Sequence, residues 1–316
     1  MKEIIIAADT KNQRLDKFLS KYLNTAPKSF IYKMIRKKNI KLNGKKAVGS
    51  EILAENDVLQ IYISDKIIDE FRAVKKIDIN AREIDIVYEN EHVLIINKPR
   101  GLLSQPSSSH EQDTVLSRAL AYLHKKGDYD ISAESVFTPG LCNRLDRNTT
   151  GIILCAKTLN ASQQLNKAIA EGKSEKYYLA IVIGKVSSGG LLEGYHTKDA
   201  ASNKVSISTS VEGKSVLTEY MPIAVSSSHS LLKVKLLTGR SHQIRAHLAG
   251  IGHPIFGDEK YGSKAEPSPK YQMLHSTSIS FLGLENELAE INGIVFEAAP
   301  PEDFIYYRGK FFGGLI

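Results

Sequence analysis

Long apolar runs are missing from this sequence. No stretch approaches the ~18–20 uncharged residues that a bilayer-spanning helix needs, and the opening M-K-E-I-I-I-A-A-D-T has too short an apolar core for a secretory leader. A cytoplasmic protein with no membrane partner is expected. Cysteine is equally scarce: Cys142 and Cys155 are the only two. Without a Cys/His ligand spacing they suggest neither a zinc site nor a disulfide framework, and both read as small hydrophobes. Cofactor signatures are lacking too. There is no G-x-x-x-x-G-K-[ST] phosphate loop, dinucleotide-binding glycine fingerprint, H-E-x-x-H or G-x-S-x-G elbow. The histidines from His242 to His275 have no metal-ligand spacing, so neither a metal nor another cofactor is expected. Internal repeats and low-complexity segments are absent as well.

One short stretch near the N-terminus is dense in basic residues and free of acidic ones. Between Lys28 and Lys46 the chain carries Lys28, Lys33, Arg36, Lys37, Lys38, Lys41, Lys45 and Lys46 and no Asp or Glu. With a net charge of +7 over 316 residues and a pI near 9.1, that one-signed stretch points to a polyanionic partner. A charge run also serves as a merely solvated face. Its setting favours binding, because the surrounding pattern is a small folded domain. Leu15, Phe18, Leu19 and Tyr22 recur at helical spacing, and a second helix beginning near Ser29 places Phe30, Ile31, Met34 and Ile35 on one face, with Lys33, Arg36 and Lys37 opposite. Lys37-Lys38-Asn39 should end that helix. Ile40 to Gly44 reads as a strand and turn, and Asp57 to Ile63 as a closing strand.

The division predicted is a small N-terminal α/β domain over 1–63, a charged linker over 64–82 and a larger domain over 83–316. In the larger domain, Ile86 to Tyr88 and Val93 to Ile96 are strand candidates, with Asn97 to Gly101 as the turn after them. Thr114 to His124 has helical spacing, and Thr158 caps a helix that Gly172 stops. Tyr177 to Ile183, Val205 to Ile207, Val216 to Pro222 and Leu231 to Leu237 read as strands, and Ser241 to Ala249 as a short helix. Ile279 to Leu282 and Ile294 to Phe296 are late strands, and Pro301 to Phe312 is a terminal helix or tail. Strands outnumber helices and come in consecutive groups. The fold class is therefore α+β, a mixed, mostly antiparallel sheet flanked by helices.

The stretch that organises the chain is Phe137 to Lys157, F-T-P-G-L-C-N-R-L-D-R-N-T-T-G-I-I-L-C-A-K. It sets the carboxylate of Asp146 between Arg144 and Arg147, on a turn that leads into the buried-strand pattern Ile152 to Ala156. Alone, R-L-D-R reads better as a solvated turn with an Asp-Arg ion pair than as a site of chemistry.

Three further stretches change this. The segment from Asn143 to Thr158 resembles the H-R-L-D-x-x-T-S-G-hydrophobic-A-K-T segment of the RluA-type pseudouridine synthases. So, in order, do His92 to Leu103 (H-V-L-I-I-N-K-P-R-G-L-L), Lys176 to Gly184 (K-Y-Y-L-A-I-V-I-G) and Leu237 to Tyr261, which contains T-G-R-S-H-Q-I-R-A-H. The resemblance covers roughly Ile84 to Phe281. Asn143 stands where the family has His, and Asn148 and Thr150 stand for the commoner Asp and Ser; Asn143 reads as an amide replacing imidazole hydrogen bonds. The N-terminal segments R-L-D-x-F-L and S-x-x-x-x-x-I-R-x-x-x-I-x-L-N-G resemble the RNA-binding module named after ribosomal protein S-four.

The resemblance implies an enzyme that isomerises uridine to pseudouridine in structured RNA without a cofactor. Asp146 becomes the essential carboxylate, attacking the sugar or abstracting a sugar proton. Arg245 of H-Q-I-R is its charge partner, which a dry site would require. Arg144 matches the arginine that fills the gap left by the flipped nucleotide, the lesser alternative being an ordinary salt bridge to Asp146. Tyr178, in the K-x-Y position, would lie on the uracil and serve the late proton transfer from ring carbon 5. Lys176, Arg240 and His242 follow as phosphate or motif support. Large-subunit ribosomal RNA is the expected substrate, with transfer RNA the competitor and a monomer the expected state. Two readings from other classes stand beside this one: a non-catalytic RNA-binding assembly factor, and a glycosidase pairing Asp146 with Asp258, which needs two carboxylates ~5–10 Å apart.

Overall fold

Apolar spacing at helical and strand periods sorts the chain into two units. In the computed structural model the described residues are 1–7, 10–72, 82–106, 111–130, 137–198, 205–208, 213–262 and 269–313. One unit comprises residues 1–81 with 120–140 and 157–160, and the other holds the remainder.

The first unit opens with β1 (Lys2–Ile5), α1 (Leu15–Tyr22) and α2 (Lys28–Arg36). The strands β2 (Ile40–Leu42), β3 (Lys45–Lys46) and β4 (Val58–Ile61) follow. They form an antiparallel sheet of order β1-β4-β2-β3. The amphipathic faces decide the packing. Leu15, Phe18, Leu19 and Tyr22 of α1 and Ile31, Met34 and Ile35 of α2 meet Ile40, Leu59 and Ile61 in one core. Helix α2 stops where Lys38 adopts φ 63°, a left-handed turn that ends helices. The strand β1 went unread in the sequence. A second correction concerns the linker. Residues Asp65–Glu70 form helix α3, and Ile68, 3% exposed, belongs to the same core. Its charged D-K-I-I-D-E hid one apolar stripe in two turns, so this unit continues past 63. The rest of the expected linker, 73–81, lies outside the described residues.

In the larger unit β5 (Asp85–Glu89) and β6 (Val93–Lys98) form a hairpin. Then come α4 (Val115–Lys126), the two-residue β7 (Gly140–Leu141), β8 (Thr150–Ala156) and α5 (Leu159–Ala170), of which residues 120–126, 140 and 159–160 are grouped with the first unit. An antiparallel run follows: β9 (Ser174–Ile183), β10 (Gly190–Lys198), β11 (Val205–Ser208), β12 (Lys214–Val225) and β13 (His229–Leu236). Helix α6 (Gln243–Gly250), β14 (Leu274–Phe281), β15 (Phe296–Glu297) and α7 (Glu302–Phe312) complete the chain. The sheet has eleven strands, with a main path β11-β10-β12-β13-β9-β14-β8-β6-β5.

Strand β8 pairs in parallel with β14, and the other registered pairs are antiparallel. This explains the unbroken T-G-I-I-L-C-A run. Every residue of β8 is buried, as expected for a strand covered on both faces. At Gly151 (φ +104°) the strands approach so closely that an added Cβ would sit 2.1 Å from the Ser276 carbonyl oxygen, which only glycine permits. On β9, Lys176, Tyr178 and Ala180 are buried while Tyr177 and Leu179 alternate to the other side. Strand β10, G-L-L-E-G-Y-H-T-K, was not anticipated, because its two glycines and polar residues mask the alternation.

Candidate active site and basic face

Side chains reaching backbone reinforce the turn carrying Asp146, beside backbone bonds such as Gly101 N–H to the Arg147 carbonyl (3.0 Å). Asn143 donates through Nδ2 to the Ile152 carbonyl (3.1 Å) and accepts the Leu154 N–H on Oδ1 (2.8 Å). The amide thus works as a spare peptide unit tying the turn to β8. Ser104 closes a similar ring: its hydroxyl donates to the Leu145 carbonyl (2.8 Å) and accepts the Leu145 N–H (3.0 Å). On the far side of Asp146, the fully buried Lys98 donates to the carbonyls of Pro99 (2.9 Å), Arg147 (2.7 Å) and Thr149 (2.8 Å). Three N–H donors meet three acceptors. Burial nevertheless pulls the Lys98 pKa down to about 7, with Arg100 and Arg147 acting the same way and Asp146 opposing them. Arg100 adds bonds to the carbonyls of Asn148 (3.0 Å) and Gln272 (2.9 Å) and an ion pair with Asp303 of α7.

The carboxylate so placed faces a guanidinium from α6. Arg245 Nη1 donates to Asp146 Oδ2 at 2.7 Å, while Nε and Nη2 clamp Asp258 at 2.7 and 2.8 Å. One buried cation therefore serves two carboxylates, using three of its five donors. Asp258 is 1% exposed, whereas the Asp146 side chain retains 25%. Burial works against the Arg245 charge, but the Asp258 and Asp146 carboxylates outweigh it and hold the pKa above the ordinary arginine value.

Helix α6 is aimed by its own motif. Gln243 donates to the Leu217 carbonyl and Thr218 Oγ1 (both 2.9 Å) and accepts from Thr238 Oγ1 and the Arg240 N–H. It pins the helix start and the T-G-R-S loop to β12. His242 caps the helix with φ 54°. Its Nδ1 lies 3.0 Å from Tyr261 Oη, which accepts the Val205 N–H, and its Nε2 lies 3.7 Å from Asp146. Burial lowers its pKa, with Asp146 opposing and Arg245 adding to the effect. The ring beside the carboxylate is therefore mostly neutral near pH 7.

These groups surround a cleft of about 850 Å³. Of the residues expected from the sequence, Arg144, Asp146, Lys176, Tyr178, Arg240, His242 and Arg245 all line it. Tyr178 is 6% exposed, and burial pushes its phenol up to about 12, a bond from Ser276 opposing and Asp146 adding. It is thus a proton donor at neutral pH. Lys176 is lowered by burial. Arg144 is exposed and makes no ion pair with a described residue, so the salt bridge to Asp146 that the sequence allowed is not formed. Asp146 is the only carboxylate among the described lining residues. Asp258 is enclosed and fully engaged by Arg245, leaving the paired-acid arrangement of a glycosidase without its second acid.

Sequence reading missed Lys98, Arg100, Ser104, Gln243, Tyr261 and Gln272. The signals were thin: a lysine at the end of an apolar strand in I-I-N-K-P-R-G, and a glutamine between His242 and Arg245.

The expected basic residues lie in the first unit. Lys28, Lys33, Arg36, Lys37, Lys38, Lys45 and Lys46 are exposed and Lys41 is half-buried, its ammonium 4.9 Å from the Tyr62 ring centre. None of the eight pairs with an acid among the described residues.

Comparison with known proteins gives this geometry a family. Residues 92–250 match the RNA pseudouridylate synthases and residues 13–59 match the S4 domain. An uncharacterized RNA pseudouridine synthase of Mycoplasma pneumoniae is 33% identical over 86% of this chain and 85% of its own length. The ribosomal large subunit pseudouridine synthase D of Yersinia pestis is 31% identical, covering 95% and 91%, and that of Escherichia coli is 31% identical, covering 83% and 76%. Among solved structures, human RNA pseudouridylate synthase domain containing 4 superposes with a TM-score of 0.55 at 21% identity, over 72% of this chain and 92% of its own, a likeness of fold. Cleft, sheet and motifs agree with these matches: the chain belongs to the RNA pseudouridylate synthase family and is an isomerase of that family with an N-terminal S4 domain.

Proposed function

We propose that this enzyme isomerises uridine in large-subunit ribosomal RNA, acting on a nucleotide flipped out of its stack, with Asp146 as the reacting carboxylate. The observation that carries this is the 2.7 Å bond from Arg245 to Asp146 in a cleft whose described lining has no other acid. An ionised carboxylate, partly shielded and countered by a fixed cation, suits attack on ribose or removal of its proton. Flipping a uridine costs a few kcal/mol, and the exposed guanidinium of Arg144, which has no ion pair among the described residues, is suited to occupy the vacated position, stacking and meeting phosphate. Tyr178, kept protonated, is suited to lie against the uracil and to assist transfer of the ring carbon 5 proton. Lys176 and Arg240 offer positive charge to the backbone around the target. The ribosomal assignment follows the names of relatives such as those of Yersinia pestis and Escherichia coli.

Chemical labelling of pseudouridines in ribosomal and transfer RNA, comparing cells with this protein, without it and with Asp146→Asn, tests the proposal. The expected result is loss of large-subunit sites in both altered strains, with the purified variant slowed by at least about 10³-fold. Full modification by Asp146→Asn would leave only an RNA-binding role. Loss confined to transfer RNA would move the substrate and keep the chemistry.

A further inference from the structure

In the first unit, Tyr32 of α2 combines two features seldom found together. Its side chain is 51% exposed, yet its hydroxyl donates to Asp16 Oδ2 at 2.9 Å. Asp16 is 4% exposed and is itself clamped by Arg14, through Nε to Oδ1 (3.0 Å) and Nη2 to Oδ2 (2.9 Å). The ring is thus fixed at its tip while its body stands in solvent. A tyrosine serving only the core would be enclosed as Tyr22 is, at 3%. An idle surface tyrosine would gain nothing from a buried carboxylate.

The surroundings add to this. Lys28 and Arg36 lie one helical turn before and after Tyr32 on the same ridge, and Lys33 is adjacent. All three lack an acidic partner among the described residues. Tyr62 has the Lys41 ammonium over its ring and Tyr22 the Arg72 guanidinium at 4.4 Å. No ring or cation among the described residues covers Tyr32. The bond to Asp16 also raises the phenol pKa, so the group stays uncharged among phosphates.

We propose that Tyr32 is a stacking platform for one unpaired RNA base, with Lys28, Lys33 and Arg36 holding the phosphates on either side. The inference rests on reading the basic face as RNA-binding and goes beyond it, because charge alone holds duplex and single strand alike. A pinned ring gives up little freedom on binding, and every base offers it a π-face, so the site selects unpaired nucleotides without selecting sequence.

The test uses the full-length protein and two RNA hairpins, one with an unpaired loop carrying 2-aminopurine and one closed by the shortest stable turn, titrated at several salt concentrations. Tyr32→Leu should bind the looped RNA about 10-fold more weakly than the parent, lose the fluorescence quench and bind the other hairpin unchanged. Its salt dependence should stay the same. Tyr32→Phe keeps the ring and should lose less than Tyr32→Leu. Equal losses in the two variants would assign the effect to the Asp16 bond and overturn stacking, as would an unchanged Tyr32→Leu. Failure of the underlying reading shows separately: a Lys33→Ala/Arg36→Ala protein with an unchanged salt slope would remove the basic face itself.

Discussion

The two units handle positive charge in opposite ways. The cations that hold Asp146 and its turn are matched: Arg245 by Asp146 and Asp258, Arg100 by Asp303 and two carbonyls, Lys98 by three carbonyls. Along α2 and the β2–β3 hairpin, none of the eight cations pairs with an acid among the described residues. Buried charge must be paired to be tolerated, and pairing fixes geometry. Exposed unpaired charge costs the fold little and leaves its field available to a polyanion. One unit uses charge to position atoms, the other to attract a ligand.

Breaking a matched cation should produce the largest effect. Asp258→Asn leaves Arg245 with one carboxylate in a dry setting and should lower stability by about 3–5 kcal/mol, read as a fall in the urea midpoint at unchanged slope. A smaller effect is expected at Lys98. Its pKa in the folded protein, about 7, lies below the ordinary 10.5. Between these values the unfolded chain holds a proton the folded one has released, so this group's contribution to stability rises with pH from 7 toward 10.5 and is at its worst below 7. Denaturant titrations across that window should show the parent gaining up to about 1.4 kcal/mol per pH unit relative to Lys98→Met; parallel curves would refute the assignment. The smallest effects belong to the unpaired cations. Lys33→Ala or Lys37→Ala should each reduce the slope of log affinity against log salt by about 1, while changing stability by no more than about 0.5 kcal/mol.

Much of this was legible in the sequence where local pattern and chemistry coincide. The apolar run after Asp146 marked a buried strand and the stretch from Ser241 to Ala249 read as the helix α6, whereas the choice of Tyr178 came from the K-x-Y position of the resemblance. The pairing of residues 146 and 245 came from motif resemblance, since no local rule joins them. What stayed hidden depends on side chains meeting distant backbone. Lys98, Arg100 and Ser104 act on carbonyls some 40 or more residues away, and a lysine bonded to carbonyls has no sequence period. Helix α3 and strand β10 were missed because charge and glycine obscured short patterns that only tertiary packing completes.

The parallel contact between β8 and β14 carries a consequence for how the enzyme comes into being. It joins Thr150 to His275 and Gly151 to Ser276, enclosing the strands and the helix that bring Tyr178 and Arg245 to Asp146. Closing so long a loop is slow compared with forming hairpins or helices. Until the polypeptide near residue 276 has been made and has paired, the strand that carries Tyr178 has no hydrogen-bonded path to the strand that follows Asp146.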